Sequence, residues 1–369
     1  MEKRIENRVR AFRKQLEDSQ LDALLVQIDA NRRYLSGFTG EDTGFDESAG
    51  ALLITGNDLI LATDSRYTLQ AENECPGYTV YTYKKGLSRE LPDIARDLKI
   101  KRLGYENRRI SCDQFRLMEN HLREADSRIE MIATADLVEK LRIIKDADEI
   151  ETIRRAVALA EAAFADVWRT LRPGVTEIEA AWALERRMRE SGAEAVSFPV
   201  IVAAGTNAAL PHAIPGHRPI QEGEPILFDW GARLDGYCSD TSRTVILGKP
   251  DATFQIVFTA VYDAQQKAIE MVRPGGFTRD IDAAARNILK DKGLDTFFGH
   301  GLGHGVGLAI HEQPSLSPMM EKNVPLEEGM VFTVEPGVYL PDWGGVRLEN
   351  MVVVRRDGPE VLHTLPVRL

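Results

Sequence analysis

Short apolar runs alternate with amphipathic stretches in the first part of the chain. The runs at residues 21–26, 50–55 and 58–63 are short and mostly apolar, which predicts buried β-strands. Residues 4–18 and 113–124 place apolar side chains along one side of a helix, which predicts amphipathic helices. Strands that alternate with helices indicate a mixed α/β domain.

A long helical pattern follows this region. Residues 147–169 contain neither glycine nor proline and keep apolar side chains three or four positions apart, which predicts one long helix. A chain of 369 residues is long enough for two domains. We place the boundary just before the long helix, which predicts domains at residues 1–147 and 148–369.

The second domain contains a weak internal repeat. Residues 171–176 (LRPGVT) and 272–278 (VRPGGFT) each precede a predicted helix that ends at a glycine. We predict Thr176 and Thr278 as helix N-caps and the two glycines as C-caps. The repeat favours an α+β domain built from two similar halves, with a site where the halves meet. The alternative is that Arg-Pro-Gly is simply a common turn after a helix.

Composition narrows the class of protein. The three cysteines are widely spaced and form no CxxC pair, so neither a disulfide framework nor a thiolate metal site is indicated. A net charge of -11 without a basic patch argues against nucleic-acid binding. No apolar run approaches the ~18 residues of a membrane span, and the N-terminal segment lacks the apolar core of a signal peptide. We therefore expect a cytoplasmic protein with neither nucleic-acid nor membrane partners.

Two aspartates flank a predicted β-hairpin in residues 226–247. Asp229 precedes and Asp240 follows Asp235-Gly236, a dipeptide typical of a hairpin turn. Pairing of the strands brings the two carboxylates close together, and adjacent carboxylates repel unless a cation or a proton lies between them. The alternative is a solvated hairpin with exposed acids. The apolar run before Asp229 instead predicts burial, which is costly for an unpaired carboxylate.

Residues 297–312 (FFGHGLGHGVGLAIHE) bring three histidines into a glycine-rich segment. Glycine at every second position disfavours a helix and lets a strand pass close to another segment or a ligand. On such a strand His300 and His304 share one face, whereas His311 lies on the other unless a bulge or turn intervenes. A phosphate loop is not indicated, because no Lys-Ser/Thr pair follows the glycines.

Two glutamates lie in apolar surroundings further along the chain. Glu335 ends an apolar strand before Pro-Gly, and Glu349 lies inside a second predicted strand at residues 346–354. A structural ion pair with Arg347 is one alternative for such a buried glutamate. Combined with the earlier acids and His304, the glutamates can instead hold two divalent cations about 3.5–4 Å apart. Carboxylate and imidazole ligands suit Mn²⁺, Fe²⁺, Co²⁺ or Zn²⁺.

These segments resemble the metallopeptidases of the pita-bread fold, which include methionine aminopeptidase, Xaa-Pro aminopeptidase, prolidase and creatinase. The matching segments are FDWGARLDGYCSDTSRT, GHGLGHGVGLAIHE, TVEPG and GVRLEN, in the family's order. RYLSGFTG and TDSRY resemble the smaller creatinase-type domain that precedes the catalytic domain in the proline-specific branch. The resemblance implies an α+β pita-bread domain with a pseudo-two-fold repeat after a mixed α/β N-terminal domain.

The resemblance also implies residue roles. The implied metal ligands are Asp229, Asp240, His304, Glu335 and Glu349, with Asp240 and Glu349 bridging. The implied catalytic residues are Glu335 as general base, His212 on the substrate side and His311 at the scissile amide. The implied substrate-binding residues are His300, Tyr339 and Arg347. We expect two divalent ions, Mn²⁺ first and Co²⁺, Zn²⁺ or Fe²⁺ as alternatives, and a homodimer, as is usual among relatives.

Within this family we predict an Xaa-Pro aminopeptidase, which removes the first residue from peptides with proline in second position. The alternative is an Xaa-Pro dipeptidase (prolidase). Three positions depart from common family patterns: Trp230 replaces a smaller apolar residue, Asn350 replaces an aspartate, and Ser315 replaces the arginine that holds a dipeptide's carboxylate in many prolidases. Only Ser315 bears on the substrate, and it favours longer peptides. A metal-free binding module is disfavoured, because no ligand position is lost.

Overall fold

The chain divides into two compact units, Met1–Arg142 and Ile143–Leu369. The structure is a computed structural model, and it describes residues 2–42, 44, 47–125, 128–320 and 322–368. The domain boundary predicted after residue 147 stays a prediction.

The described residues of the first unit form a mixed six-stranded sheet in the order β4-β3-β2-β1-β5-β6. Its strands are β1 (Ala23–Val26), β2 (Ala51–Thr55), β3 (Leu59–Thr63), β4 (Thr79–Thr82), β5 (Arg102–Glu106) and β6 (Glu130–Thr134). Its helices are α1 (Lys3–Asp18), α2 (Asp29–Ser36), α3 (Thr68–Glu74), α4 (Leu87–Asp97), α5 (Cys112–Glu124) and α6 (Glu139–Arg142). The predicted mixed α/β character, the three strands and both helices are confirmed.

The second unit contains helices and several small antiparallel sheets. Its helices are α7 (Ala147–Thr170), α8 (Glu177–Glu190), α9 (Ala252–Glu270) and α10 (Thr278–Asp291), with 3₁₀ helices at Gly205–Ala209 and Asp295–Phe297. Its strands are β7 (Ala195–Val196), β8 (Ile201–Ala204), β9 (Pro225–Trp230), β10 (Ala232–Leu234), β11 (Tyr237–Cys238), β12 (Thr241–Ile246), β13 (Gly303–Gly305), β14 (Glu312–Leu316), β15 (Val331–Val334), β16 (Gly337–Leu340), β17 (Gly344–Arg347), β18 (Asn350–Arg355) and β19 (Gly358–Val361). The sheet orders are β11-β10-β7, β12-β9-β8, β14-β13-β15-β18-β19 and β16-β17.

Two similar halves make up this unit, as the repeat predicts. In the first half, α7 packs against α8, and their apolar faces share a core with β8, β9 and β12. In the second half, α9 packs against α10, and their apolar faces share a core with β15, β17 and β18. Contacts of β17 with β9 and β12 join the halves.

The two repeat helices begin in different ways. The Thr176 side chain accepts a hydrogen bond from the main-chain N–H of Glu179 and forms a capping box, as predicted. Thr278, however, is the first residue of α10, and Phe277 occupies the N-cap position without a side-chain hydrogen bond. The Thr278 hydroxyl instead contacts Asn323 and accepts from the Val324 N–H, so a neighbouring segment draws it away from its own helix.

The first half is held by a cluster of aromatic side chains. The Phe164 ring on α7 is fully buried and stacks on the Trp230 indole, with 4.4 Å between ring centroids. It also meets the Phe228 ring edge-on at 5.2 Å. The Trp230 indole N–H donates to the Ala160 carbonyl at 3.0 Å, so the unusual tryptophan fills a core position with its one polar atom satisfied.

Phe164→Ala is expected to lower the free energy of unfolding of this unit by about 3–5 kcal/mol, because it removes a buried ring and leaves a cavity. All four tryptophans lie between residues 168 and 343, so urea unfolding followed by tryptophan fluorescence reports on the second unit. Ile256→Ala, at a side chain that is 64% exposed, is the control and should change the free energy by less than about 0.5 kcal/mol. Equal effects of the two substitutions would contradict the aromatic cluster as a stability centre.

No helix formed by the described residues combines the length and the apolar character that crossing a membrane requires.

Candidate active site

A hairpin places the two aspartates, as its sequence predicts. Strands β9 and β12 pair antiparallel with Asp229 opposite Ser242, and Asp240 lies immediately before β12. Asp235 and Gly236 form the turn with φ of 49° and 83°. Two consecutive left-handed residues match the right-handed twist of paired strands, and aspartate and glycine are among the residues that adopt this conformation most readily.

Glycines let the His304 strand pass close to its neighbours. A Cβ atom on Gly303 would lie 1.9 Å from the Thr333 carbonyl oxygen, and one on Gly305 would lie 2.2 Å from the Gln313 carbonyl oxygen. No other residue fits at either position, which confirms the predicted close approach. The predicted strand is much shorter than expected, however, because only residues 303–305 pair as β13.

The His304 imidazole faces two carboxylates. Its Nε2 lies 3.5 Å from Asp240 Oδ2 and 3.3 Å from Glu335 Oε1. Its Nδ1 lies 3.1 Å from the Gly305 carbonyl oxygen, which can only accept, so Nδ1 carries the proton. Burial lowers the pKa of His304, which keeps the ring neutral. The lone pair on Nε2 therefore points at the acids, as a metal ligand requires.

The two glutamates reach the same place from strand ends. Glu335 immediately follows β15, and its Oε1 accepts a hydrogen bond from the Thr333 hydroxyl at 3.1 Å. Glu349 was predicted inside a strand, and this is wrong: it lies in the break between β17 and β18. The Ser242 hydroxyl donates to its Oε2 at 2.9 Å. This bond holds the Glu349 carboxylate against β12 of the hairpin.

The assembled acids fit divalent cations. Ligand atoms of Asp240, His304 and Glu349 lie within 4.8 Å of one another. Burial and the neighbouring carboxylates raise the pKa of Asp240 and of Glu349, and burial raises the pKa of Glu335 to about 7. Asp229 Oδ1 is buried without a hydrogen-bond partner among the described residues. Such a cluster of hard oxygen donors with one imidazole is stable only with protons or cations between its members. The ligand roles themselves stay predictions.

Arg347 organises the wall beside this cluster. Its Nη2 lies 2.6 Å from Asp229 Oδ2, so its partner is Asp229 and not Glu349, the alternative considered from the sequence. Its Nη1 donates to the Tyr339 hydroxyl at 2.9 Å and to the Pro211 carbonyl at 3.1 Å. The Tyr339 hydroxyl lies 2.9 Å from His300 Nε2. These three predicted substrate-binding side chains thus form one hydrogen-bonded chain.

The His300 tautomer follows from the same contacts. His300 Nδ1 lies 2.8 Å from the Gly301 carbonyl, so Nδ1 carries the proton and Nε2 accepts from Tyr339. Burial and Arg347 lower the pKa of His300 to about 4, which keeps it neutral. His300 lies outside β13, so the prediction that it shares a strand face with His304 is wrong.

A cavity of about 560 Å³ opens above the cluster, and every residue predicted for the site except Tyr339 lines it. Bends at residues 307–311 bring His311 beside His304, with 4.3 Å between the ring centroids. His212 lies on an exposed loop at the wall. Phe198, Pro199 and Ile214 make part of the cavity wall apolar, and Ile214 is 90% exposed.

Sequence reasoning missed two residues that hold the carboxylates. Ser242 donates to Glu349, and Thr333 donates to Glu335. Each lies two positions from a predicted ligand along an extended segment, Ser242 after Asp240 and Thr333 before Glu335, and alternate residues share a face of a strand. A hydroxyl side chain two positions from a predicted ligand was therefore the signal in the sequence that could have identified them. No sequence pattern indicated the apolar wall.

Comparisons with known proteins agree over nearly the whole chain. The model of "Metallopeptidase family M24" matches residues 151–356, and that of "Creatinase/Prolidase N-terminal domain" matches residues 8–144. The chain is 33% identical to an Xaa-Pro dipeptidase of Pyrococcus horikoshii, over 94% of each chain.

Solved structures give the same result. An Xaa-Pro dipeptidase from Bacillus anthracis is 35% identical, with a TM-score of 0.91 over 99% of this chain and 100% of that one. An X-Pro aminopeptidase from Thermotoga maritima is 37% identical, with a TM-score of 0.85 over 96% of this chain and 100% of that one. The predicted fold is confirmed: an α+β pita-bread domain preceded by a creatinase-type domain.

Proposed function

The chain belongs to metallopeptidase family M24, and on this premise we propose that it is an Xaa-Pro dipeptidase, which splits a dipeptide before its C-terminal proline with the help of two divalent cations. The names of relatives support this choice, since those from Pyrococcus horikoshii and Bacillus anthracis are Xaa-Pro dipeptidases. The sequence alone favoured an aminopeptidase. The comparisons support the alternative, the dipeptidase, better than that first choice. We propose Mn²⁺ as the working metal.

The observation that carries the metal-dependent part of the proposal is the contact of His304 Nε2 with both Asp240 and Glu335 in the lining of the cavity. Cations held by Asp229, Asp240, His304, Glu335 and Glu349 would lower the pKa of a water molecule and supply a hydroxide near neutral pH. The four carboxylates balance the charge of two such ions.

The chain's own residues supply the proton transfers. Glu335 accepts a proton from the attacking water and returns it to the proline nitrogen, which leaves as an amine. Without metal, burial raises the pKa of Glu335 to about 7. We propose that His311, whose ring lies beside that of His304, stabilises charge on the scissile carbonyl oxygen. We also propose that His212, at the cavity wall, acts on the substrate side. Arg347 holds Asp229 and Tyr339 in place.

A second candidate, an Xaa-Pro aminopeptidase, is favoured by one observation. A dipeptide carries a free carboxylate next to proline, and binding it well needs a fixed cation. Among the described residues that line the cavity, Arg347 is the one arginine or lysine, and it is paired with Asp229. The wall carries the neutral Ser315 and Ser317 instead. A longer peptide presents an uncharged amide there.

Three peptides test the choice. The metal-free protein is supplied with Mn²⁺, and kcat/KM is measured for Leu-Pro, Leu-Pro-Ala and Leu-Ala-Ala. The dipeptidase proposal expects Leu-Pro to be cleaved best and Leu-Ala-Ala hardly at all. Faster cleavage of Leu-Pro-Ala would replace it with the aminopeptidase. Equal cleavage of all three, or activity that survives removal of metal, would overturn the proline-specific metallopeptidase altogether.

Ser315→Arg is expected to raise kcat/KM for Leu-Pro relative to Leu-Pro-Ala by roughly tenfold. A hydrogen bond to a charged group is worth about 1.5–3 kcal/mol against about 1 for a neutral one, and 1.4 kcal/mol is a factor of ten. Ser315→Gln, which adds length without charge, is the control and should leave the ratio unchanged. The same change with both variants would show that side-chain size, and not charge, alters substrate choice.

A further inference from the structure

The segment after β19 contacts α7 and the two strands, β12 and β18, that begin directly after Asp240 and Glu349. The main-chain N–H groups of Thr364 and Leu365 both donate to the Glu161 carboxylate on α7, at distances from 2.8 to 3.1 Å. The Leu365 carbonyl accepts from Arg243 on β12 at 3.0 Å. The Leu362 N–H donates to the Met351 carbonyl on β18 at 3.0 Å. The segment therefore joins α7, β12 and β18.

His363 lies at the centre of this segment and uses both ring nitrogens. Its Nδ1 lies 3.1 Å from the main-chain nitrogen of Met351, which can only donate, so Nδ1 is the acceptor. Its Nε2 lies 2.8 Å from the Thr241 hydroxyl. A neutral imidazole with a bare Nδ1 carries its proton on Nε2, so Nε2 donates to Thr241. The contacts thus select one tautomer.

These bonds close a ring around two metal-binding positions. Thr241 directly follows Asp240, and Met351 comes two residues after Glu349. The Asp240 main-chain N–H also donates to the Met351 sulfur at 3.3 Å. The main chain beside one carboxylate is therefore tied to the main chain beside the other, once through the Met351 side chain and once through His363.

We propose that His363 is a positioning residue of the metal centre, which fixes the separation of the Asp240 and Glu349 carboxylates through Thr241 and the Met351 main chain. The two acids repel each other. Direct hydrogen bonds already join their segments, from the Glu349 N–H to the Ser242 carbonyl at 3.1 Å and from the Ser242 hydroxyl to Glu349 Oε2 at 2.9 Å. The tie through His363 adds a second restraint on the other side of each acid, at Thr241 and Met351. A fixed separation lets both carboxylates contact cations without a rearrangement on binding. The inference rests on the metal-dependent function proposed above, and not on the choice between dipeptides and longer peptides.

Thr241→Val tests the tie with the least change of shape, since it replaces the hydroxyl with a methyl group of similar size. Metal-free protein is titrated with Mn²⁺ by calorimetry. We expect affinity to fall by about 10–100-fold, the usual loss when a residue that supports the metal ligands is removed.

His363→Asn should lose a similar amount of Mn²⁺ affinity, because its amide oxygen can still accept from Met351 while the contact with Thr241 is lost. The double variant should bind Mn²⁺ about as tightly as the single variant with the lower affinity, because both substitutions remove the same hydrogen bond.

Two controls separate positioning from stability. Thr241→Ser keeps the hydroxyl and should keep Mn²⁺ affinity within about twofold. Thr278→Val removes a buried, hydrogen-bonded hydroxyl far along the chain, and should lower the unfolding temperature of the metal-free protein without changing its affinity. If Thr241→Val behaves like Thr278→Val, His363 only stabilises the fold and the proposal is wrong.

The outcomes also distinguish this proposal from the function it rests on. Wild-type protein that binds no Mn²⁺ would overturn the metal-dependent function. Wild-type protein that binds two ions per chain, with unchanged binding by Thr241→Val and His363→Asn, would overturn the positioning role alone. Should His363→Asn fail to fold, the ratio of affinities of the Thr241→Ser and Thr241→Val proteins still decides the question.

Discussion

Glu335→Gln is expected to lower kcat by about 10²–10⁴-fold, the usual contribution of a general acid–base group. Glutamine has nearly the same shape, and its oxygen can still accept from the Thr333 hydroxyl, which contacts Glu335 at 3.1 Å. It cannot take a proton from water or deliver one to the proline nitrogen. The native carboxylate can gain and lose a proton, whereas the amide cannot.

The measurement must separate proton transfer from metal binding, because Glu335 is also a predicted ligand. We would measure kcat at saturating Mn²⁺ together with the number of ions bound per chain. Glu328→Gln, at an exposed position in the loop before β15, is the matched control and should leave both unchanged. A glutamine variant that binds two ions and turns over normally would rule out the general-base role. One that binds fewer ions would assign the loss to ligation.

Local rules predicted the parts of the site that local chemistry determines. Asp235-Gly236 forms the expected turn because its backbone angles are available to these two residues and to few others. Gly303 and Gly305 allow the close approach because any Cβ would collide with a neighbouring carbonyl. Thr176 caps α8 because its partner lies three residues away. In each case the determining contact is contained within the segment or depends on the absence of a side chain.

Partners that come from distant segments were not predictable in this way. Arg347 pairs with Asp229, 118 residues away, and not with the nearby Glu349. The Thr278 hydroxyl contacts Asn323 and Val324 instead of capping its helix. The hydrogen bonds of His363 with Thr241 and Met351 depend on the position of the chain after β19. Each of these side chains could bond to many groups in the chain, and tertiary packing decides which of them come within reach.

Asp240→Asn is expected to abolish most activity while making the metal-free protein more stable. Loss of a charged ligand removes part of the Lewis-acid stabilisation, which is worth several kcal/mol, and each 1.36 kcal/mol is tenfold, so kcat/KM should fall at least about a hundredfold. Metal content should fall with it. Asp235→Asn, in the exposed turn of the same hairpin, is the matched control and should change neither quantity.

The stability change follows from the sign of the pKa shift. Burial, Glu349, Asp229 and Glu335 raise the pKa of Asp240 well above its ordinary 3.8. Without metal, folding must therefore protonate this carboxylate or bury its charge once the pH exceeds the ordinary value, and either opposes folding. The contribution of Asp240 to stability is complete below about pH 4 and is lost as pH rises through the folded-state pKa. Asparagine has no charge to bury, so the variant should unfold at a higher temperature than metal-free wild type at pH 7, and the difference should shrink toward pH 4. With Mn²⁺ the order should reverse, because only wild type gains the full binding energy of the ions. A metal-free Asp240→Asn protein that is less stable than wild type at pH 7 would show that Asp240 stabilises the fold without metal. It would contradict the claim that these acids form a cation-binding site.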